Sequence, residues 1–564
     1  MSSSEHLDSR DGRGEGGGGA ATTGPRGGRS GRRTACVVGG AAAVLGVVGA
    51  GAWAALSFLS SGPQAAEALP SSTLAYASID LDPSGGQKIE ALRTLRKFPA
   101  LRDELDLHST DDVRRLVFQE MRSSGTCPDL DYGHDVAPWL GDTMAVAAVG
   151  LSGSDAPAPV VVLQVSDEGA ARTGLTKLVD CLAPDFQTDD DNGAAPGPSS
   201  HGRAAFAISD GWALIGADQH VVDRIERDAA DSSLSDDGDY QHWTQAAGDP
   251  GIATFYVSAA AGDVLAQEVG GLGSFGGALA SGPTAVVSAS AAPAAYARSG
   301  AGSSSGAQAL RDFGGLGATL RFDDGSLELE MAAAAGHQAD AFAASEHGTD
   351  MVRSLPADTV AAAGFGLRDG WFSALVDQMA SSSGSSSDDL MAKLAKESGL
   401  DLPADAETLA GDSLALAVGP GLDPSAFLGP DSAAKVPVGV KVHGDAAGIE
   451  RVLAEARDRM GPDGDLLGSS SAGDVVAIGP SEDYRKQLLA DGRLGDSEVY
   501  RNVVRESDRA AGVLFVDFDA ADWLDSLAGD DREVADNLEP LQGLGVSTWV
   551  EGSTSHAALR ITTD

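Results

Sequence analysis

Seven stretches of this chain occur twice, in the same order. LPSSTLAYASIDLD (69–82) returns as LPADTVAAAGFGLRD (355–369), and WLGDTMAVAAVG (139–150) as LAGDSLALAVG (409–419). PVVVLQVSDEGAARTGLTKLV (159–179) corresponds to PVGVKVHGDAAGIERVLAEA (437–456), and GWALIGADQHVVDRI (211–225) to GDVVAIGPSEDYRKQL (473–488). GDYQHW, IATFYVSAAAGDVL and GGLGATLRFDDGSLELEMAA (238–243, 252–265, 314–333) have partners at 497–503, 511–524 and 542–561. Self-similarity on this scale reads as a tandem duplication. Copy one covers about 69–335 and copy two about 353–564, each long enough for a core of its own.

Within a copy the patterns alternate between helix and strand. Ser109 or Thr110 is placed to cap a helix carrying Val113, Leu116, Val117 and Met121, with acids in its first turn. Leu390 and Leu394 share a face of a counterpart helix that Gly399 can end. Phe206 and Ile208, then Asp210-Gly211, then Trp212 and Leu214, predict a hairpin with a type I′ turn. Leu327, Leu329 and Met331 alternate with Glu328 and Glu330, the mark of a half-buried strand. Residues 187–202, 268–309 and 380–388, rich in Gly, Ser, Ala and Pro, read as loops, with a strand-like Pro-Thr-Ala-Val-Val-Ser inside the second.

The first sixty residues are of another kind. Residues 1–33 carry six Arg and four acids with no apolar period, and read as a disordered basic tail. Residues 34–66 carry no charge. As a helix, Thr34–Leu59 would be about 39 Å long, against about 30 Å for a bilayer core. Trp53 and Phe58 fall near its far end, where aromatic residues favour the interface. A transmembrane helix over 34–59 is the reading preferred to a cleaved signal peptide ending near Ala66-Glu67-Ala68 and to a soluble Ala/Gly helix. Arg26, Arg29, Arg32 and Arg33 precede the run, so the N-terminus is expected in the cytoplasm and the copies outside a plasma membrane. The bilayer is then one partner. The fold class expected is α+β: a single N-terminal transmembrane helix followed by two tandem copies of an α+β unit with largely antiparallel sheets.

Charge excludes some partners. The formal net charge is −44, from 39 basic and 83 acidic residues. Nucleic acid is not an expected partner, because phosphate recognition needs clustered Lys and Arg. An anionic lipid surface would repel the acidic copies.

Few catalytic patterns survive scrutiny. Gly302-Ser303-Ser304-Ser305-Gly306 fits G-x-S-x-G but lies in a Ser/Gly tract without the strand and helix a nucleophile elbow needs. Gly271–Gly276 fits G-x-G-x-x-G without a βαβ setting. Asp189-Asp190-Asp191-Asn192-Gly193 lacks the alternating ligands and closing Glu of a calcium loop. The ten His show no H-E-x-x-H spacing. Asp80 and Asp82 are matched by Gly366 and Arg368 in copy two, so they read as a turn before Pro83. Gly141-Asp142-Thr143 and Gly411-Asp412-Ser413 recur in both copies and read as tight turns rather than ligand sites. No catalytic, cofactor or metal residue is assigned, and no cofactor is expected.

Three cysteines cannot build a disulfide framework. Cys36 falls inside the uncharged run, whereas Cys127 and Cys181 would both face an oxidising compartment. One disulfide between them is expected, closing a loop of about 54 residues and contributing on the order of 4 kcal/mol.

The basic Gly-rich start, the single apolar run, LPSSTLAYASIDLDPSGGQKIEALRTLRKFPAL (69–101) and DVAPWLGD (135–142) together resemble a family of uncharacterised membrane-anchored proteins of high-GC Gram-positive bacteria, known as a domain of unknown function. That resemblance implies an envelope location and two related halves, and no activity. The function expected is a non-enzymatic binding or scaffolding module of the cell envelope with a protein, wall or lipid partner. A carrier or sensor of an apolar ligand and a membrane-tethered hydrolase with a dispersed site are the alternatives.

Overall fold

In LGDTMAVAAV and SLALAV nearly every residue is apolar, as in strands with no solvated face. In the computed structural model both are strands. It describes residues 64–80, 85–99, 114–115, 118, 127, 130–154, 156–182, 204–268, 313–335, 349–383, 385–421, 436–490, 492–520 and 532–564. Eight strands come from the first half of the sequence: β1 Thr73–Asp80, β2 Leu140–Val149, β3 Ala158–Val165, β4 Ala205–Ser209, β5 Trp212–Gly216, β6 Ala253–Val257, β7 Leu316–Asp323 and β8 Ser326–Ala334. Eight come from the second: β9 Ala361–Gly366, β10 Ser413–Val418, β11 Val438–His443, β12 Ser469–Ala472, β13 Val475–Ile478, β14 Gly512–Asp517, β15 Leu541–Glu551 and β16 Thr554–Thr563.

All sixteen join one sheet, and every pairing is antiparallel. From the centre outward the first half runs β8-β7-β6-β1-β2-β3-β5-β4 and the second β16-β15-β14-β9-β10-β11-β13-β12. These are the same order. β8 and β16 pair at the centre, with Glu330 opposite Ala558. The expectation of two units with sheets of their own is therefore corrected to one continuous sheet. The reason is physical: β8 and β16 would each be an open edge with unpaired backbone groups, and pairing removes both edges.

The anchor in the expected fold class is also corrected. Among the described residues no helix is long and apolar enough to cross a membrane. The longest, Glu168–Leu182 and Ala446–Met460, have 15 residues, short of the ~20 that a bilayer core requires. The run 34–59 lies outside the described residues.

Local chemistry explains the elements. Asp210-Gly211 and Asp324-Gly325 have φ of 49° and 81°, and of 47° and 77°, the left-handed pairs a two-residue type I′ hairpin demands. They join β4 to β5 and β7 to β8. The helix Ser387–Ser398 starts at Ser386, whose hydroxyl accepts from the Asp389 N–H, and ends at Gly399 with φ 69°. Because the preceding helix Trp371–Ser383 continues to Ser383, the loop expected at 380–388 shrinks to three residues.

One face of the sheet carries the helices Gln219–Asp231 and Gly238–Ala246, and in the second half Glu482–Leu489 and Glu498–Val503. Asp218, Asp237, Ser481 and Ser497 cap them by accepting from backbone N–H groups. Between the first pair and the sheet pack Tyr240 and Trp243 of the helices against Tyr76, Trp212 and Tyr256 of the strands, and between the second pair and the sheet Tyr484 and Tyr500 against Val513 and Phe515. Burial pushes the Tyr76 phenol up to about 12. Gly317 on β7 and Gly545 on β15 hold matching places, and each lets a helix backbone lie on the strand. A Cβ on Gly317 would sit 2.2 Å from the Trp243 carbonyl oxygen, and one on Gly545 2.3 Å from that of Val503. The opposite face is covered toward its two ends, by Glu168–Leu182 over Leu163, Ala213 and Ile215 and by Ala446–Met460 over Val442 and Val476.

Candidate functional site

The two Gly-Asp turns are fastened by different partners. In the first, the Asp142 and Thr143 N–H groups donate to Gln164 Oε1 at 2.8 and 3.2 Å, and the Asp142 carboxylate pairs with Arg114 at 3.1 Å. In the second, the Asp412 N–H donates to the His443 carbonyl at 3.1 Å, and Asp412 Oδ1 lies 2.7 Å from His443 Nδ1. Gly411 has φ 63°, and a Cβ there would fall 2.0 Å from the His443 carbonyl oxygen. Only glycine fits that approach.

Beside the second turn is a cavity of about 230 Å³, lined by Arg368, Trp371, Glu407, Thr408, Asp412 and Asp445 among others. Trp371 Nε1 and Glu407 Oε1 are buried there without a hydrogen-bond partner. Among the described residues of its wall the one hydroxyl, that of Thr408, donates to the Ala404 carbonyl at 2.8 Å. Asp412 and His443 form an acid–imidazole pair, and no serine or cysteine is among the described residues of that wall.

A buried carboxylate precedes each of these turns. Asp135 Oδ2 accepts from the Asp131 N–H at 3.1 Å, and Asp405 Oδ2 from the Asp401 N–H at 2.8 Å. Lys177 lies 2.5 Å from Asp135, and Arg451 3.2 Å from Asp405. The hydrogen bonds from Lys177 and His134 hold the Asp135 carboxyl well below the usual carboxylate range.

Cys127 and Cys181 form a disulfide with their Cα atoms 5.5 Å apart. It ties the residues ahead of β2 to the helix Glu168–Leu182. Among the described residues no group of three or more His, Cys, Asp or Glu is placed to hold a metal ion. Asp80 is the last residue of β1. Asp82, Gly271–Gly276, Gly302–Gly306 and Asp189–Gly193 lie outside the described residues.

Two features at the middle of the sheet were not singled out from the sequence. On the helix-bearing face, Glu328 is 1 % exposed and pairs with Arg321 on β7 and, at 3.2 Å, with Arg560 on β16. Arg321 also pairs with Glu330, and Arg505 approaches Glu328 at 3.7 Å. Beside this cluster His556 stacks flat on Trp549, ring centroids 5.1 Å apart, and the Arg509 guanidinium lies 5.5 Å from the Trp549 ring centre. Burial lowers the His556 imidazole below its ordinary value.

The other face is the reverse. From β1 through β6, β7, β8, β16, β15, β14 and β9 to β10, the residues facing this way carry no charge; on β2, Asp142 falls in step with Met144 and Val146. The central strands bury much of this side, with Ala318, Phe322, Ala333, Val546 and Ala557 all buried, and the open side chains flank them. Val146 is 49 % exposed, Leu416 42 %, Phe255 38 % and Ile79 37 %. Val146 and Leu416 occupy matching places in WLGDTMAVAAVG and LAGDSLALAVG. Each neighbours an alanine, Ala77 or Ala363, on the next strand.

A family described as a protein of unknown function, DUF3352, matches residues 37–434. The chain belongs to this family. No curated protein and no solved structure matches the chain. The DUF3352 match takes in all of the first half together with β9 and β10 of the second, so it contains both Gly-Asp turns and both exposed residues Val146 and Leu416. The signal that could have revealed the uncharged face is the choice of side chain on alternate positions. In β2 and β10 the helix-facing places hold Ala145 and Ala147, and Ser413, Ala415 and Ala417, while the larger Met144, Val146, Leu414 and Leu416 point the other way.

Proposed function

We propose that this DUF3352 chain is a non-enzymatic binding or scaffolding module of the cell envelope, and that the exposed apolar side chains on β2, β1 and β6, with their counterpart on β10, are its working surface. The observation that carries the reading is the exposure of Val146, Ile79 and Phe255 on the adjacent strands β2, β1 and β6, matched by Leu416 on β10. Large apolar side chains left open together on one sheet face mark interaction sites. The Cys127–Cys181 bridge supports an oxidising compartment. The seven paired stretches and the shared strand order support descent of both halves by tandem duplication.

The test is a photo-crosslinking amino acid placed in intact cells at position 146 or 416, with position 223 on the helix-bearing side as control. Adducts are expected from 146 and 416 and not from Asp223. A folded protein that yields no adduct from either apolar position refutes the reading.

A further inference from the structure

We infer that the cavity beside Asp412 binds a small amino alcohol, holding its ammonium on Glu407 and its hydroxyl oxygen on the indole N–H of Trp371. No residue of the proposed working surface lines this cavity.

Unpaired groups are the first argument. Trp371 and Glu407 both line the cavity, and Trp371 Nε1 and Glu407 Oε1 are buried with no hydrogen-bond partner. One is a donor and the other an acceptor, so a ligand carrying both functions satisfies the two at once. Leaving such groups unpaired is costly, and a ligand that pairs with them removes the cost. Two neighbouring acids are already engaged. Asp412 Oδ1 lies 2.7 Å from His443 Nδ1, and Asp445 Oδ1 accepts from the Ala447 N–H at 3.2 Å.

Charge and size are the second. Among the described residues of the wall stand four carboxylates and one guanidinium, that of Arg368. A cleft lined mainly by one sign of charge concentrates the opposite sign, so the donor that meets Glu407 is an ammonium, and the hydrogen bond is charge-assisted. The acceptor that meets Trp371 is neutral, because a carboxylate would be repelled by the same acids. A hydroxyl beside a primary ammonium meets both demands. The volume, about 230 Å³, is below the ~300–1,000 Å³ of pockets that take drug-sized ligands, which suits a smaller molecule.

The duplication is the third, because the first half shows what the fold alone requires. Gly85, Ala137 and Val165 hold the places of Trp371, Glu407 and His443, and Gly85 and Trp371 each start a helix. In the first half the turn closes on Gln164, which accepts from the Asp142 and Thr143 N–H groups. The cap of the following helix is common to both halves, with Asp167 accepting from the Ala170 N–H as Asp445 does from Ala447. Turn and cap therefore form without an acid at the Glu407 place or an indole at the Trp371 place.

The test is calorimetric titration of the full chain with glucosamine and with ethanolamine, each compared with N-acetylglucosamine, whose nitrogen is an uncharged amide. Saturable binding of at least one amine is expected, and the tighter of the two distinguishes a sugar from a lipid headgroup as the source. Glu407→Gln is expected to weaken that amine by about tenfold with the urea midpoint unchanged. Trp371→Phe keeps a ring and drops the N–H; it is expected to weaken binding by about fivefold, and it stands in for Glu407→Gln if that variant shifts the midpoint. With 5-fluorotryptophan in place of tryptophan, the fluorine resonance that Trp371→Phe removes should move as the amine saturates. No binding of either amine overturns the inference, as does equal binding of the acetylated sugar. An affinity untouched in a folded variant, or a Trp371 resonance that stays in place while the amine binds, overturns it as well.

Discussion

Replacing Gly317 by alanine isolates the contact that seats a helix on this sheet. The added Cβ would lie 2.2 Å from the Trp243 carbonyl oxygen and 2.4 Å from its carbon. Ordinary contact begins near 3.4 Å, so helix and strand must separate by about 1.2 Å. Both obstructing atoms are backbone, and no rotamer change relieves them. Overpacking a core costs typically ~1–3 kcal/mol, and an obstacle of this kind belongs at the upper end, about 3 kcal/mol. Gly238→Ala is the control. It lies at the start of the same helix, with nothing within 4 Å of its added Cβ, and should stabilise by ~0.4–1 kcal/mol through the unfolded chain. Urea unfolding followed by tryptophan fluorescence reads the difference, since Trp243 rests on Gly315 and Gly317. Gly545→Ala makes the matching test in the second half. Gly317 and Gly545 stand on β7 and β15, three strand gaps or ~14 Å apart, so their effects should add within ~0.5 kcal/mol. A midpoint for Gly317→Ala equal to that of Gly238→Ala would refute the reasoning.

Two further changes probe the centre of the sheet. Glu328→Gln removes the carboxylate shared by Arg321 and Arg560 and leaves Glu330 as the remaining counter-charge to Arg321. Breaking a buried pair from one side costs ~3–5 kcal/mol, and a loss under ~1 kcal/mol in urea unfolding contradicts the assignment. His556 faces Glu330, Glu551, Glu506 and Arg509, and burial holds its pKa below the ordinary 6.5. The unfolded chain then takes up the proton first as pH falls through 6.5, so stability drops on acidification, by at most ~1.4 kcal/mol per pH unit for one group. His556→Gln should flatten that part of the profile between pH 7 and 5, and an unchanged slope would show that the imidazole does not contribute.

Local signals in the sequence were readable wherever one residue type is forced. Asp210-Gly211 marks a hairpin because two left-handed residues are required there. Gly399 marks a helix end for the same kind of reason. The disulfide followed from two cysteines and a compartment argument. What the sequence hid is what depends on pairing over long range. Glu328 and Glu330 read as the solvated side of an alternating strand, yet Arg321 on β7 and Arg560 on β16, seven and 232 positions from Glu328, turn that side into a buried ion cluster. Leu327, Leu329 and Met331 read as the apolar side of a half-buried strand, and Leu329 and Met331 do pack against the buried Leu316, Ala318 and Ala333, yet the same side carries Val146 and Leu416 in the open farther out. Hydrophobic alternation separates two faces of a strand without saying which is covered.

Both sides of the central seam have a common cause. Each half ends on a strand, β8 or β16, with charge on one side and apolar residues on the other. Alone, such an edge exposes unpaired backbone and leaves Glu328 and Arg560 without each other. Paired, it neutralises Glu328 from both sides and carries a run of uncharged, buried or half-buried side chains across the join, from Phe255 to Leu514. Burial of the ion cluster and continuity of the uncharged run are thus two consequences of one pairing. A change that loosens β8 from β16 should weaken both: Glu328→Gln tests the first through stability, and loss of the crosslink from position 146 in the same variant tests the second. Loss of stability with the crosslink intact would separate the surface from the seam and place recognition within each half alone.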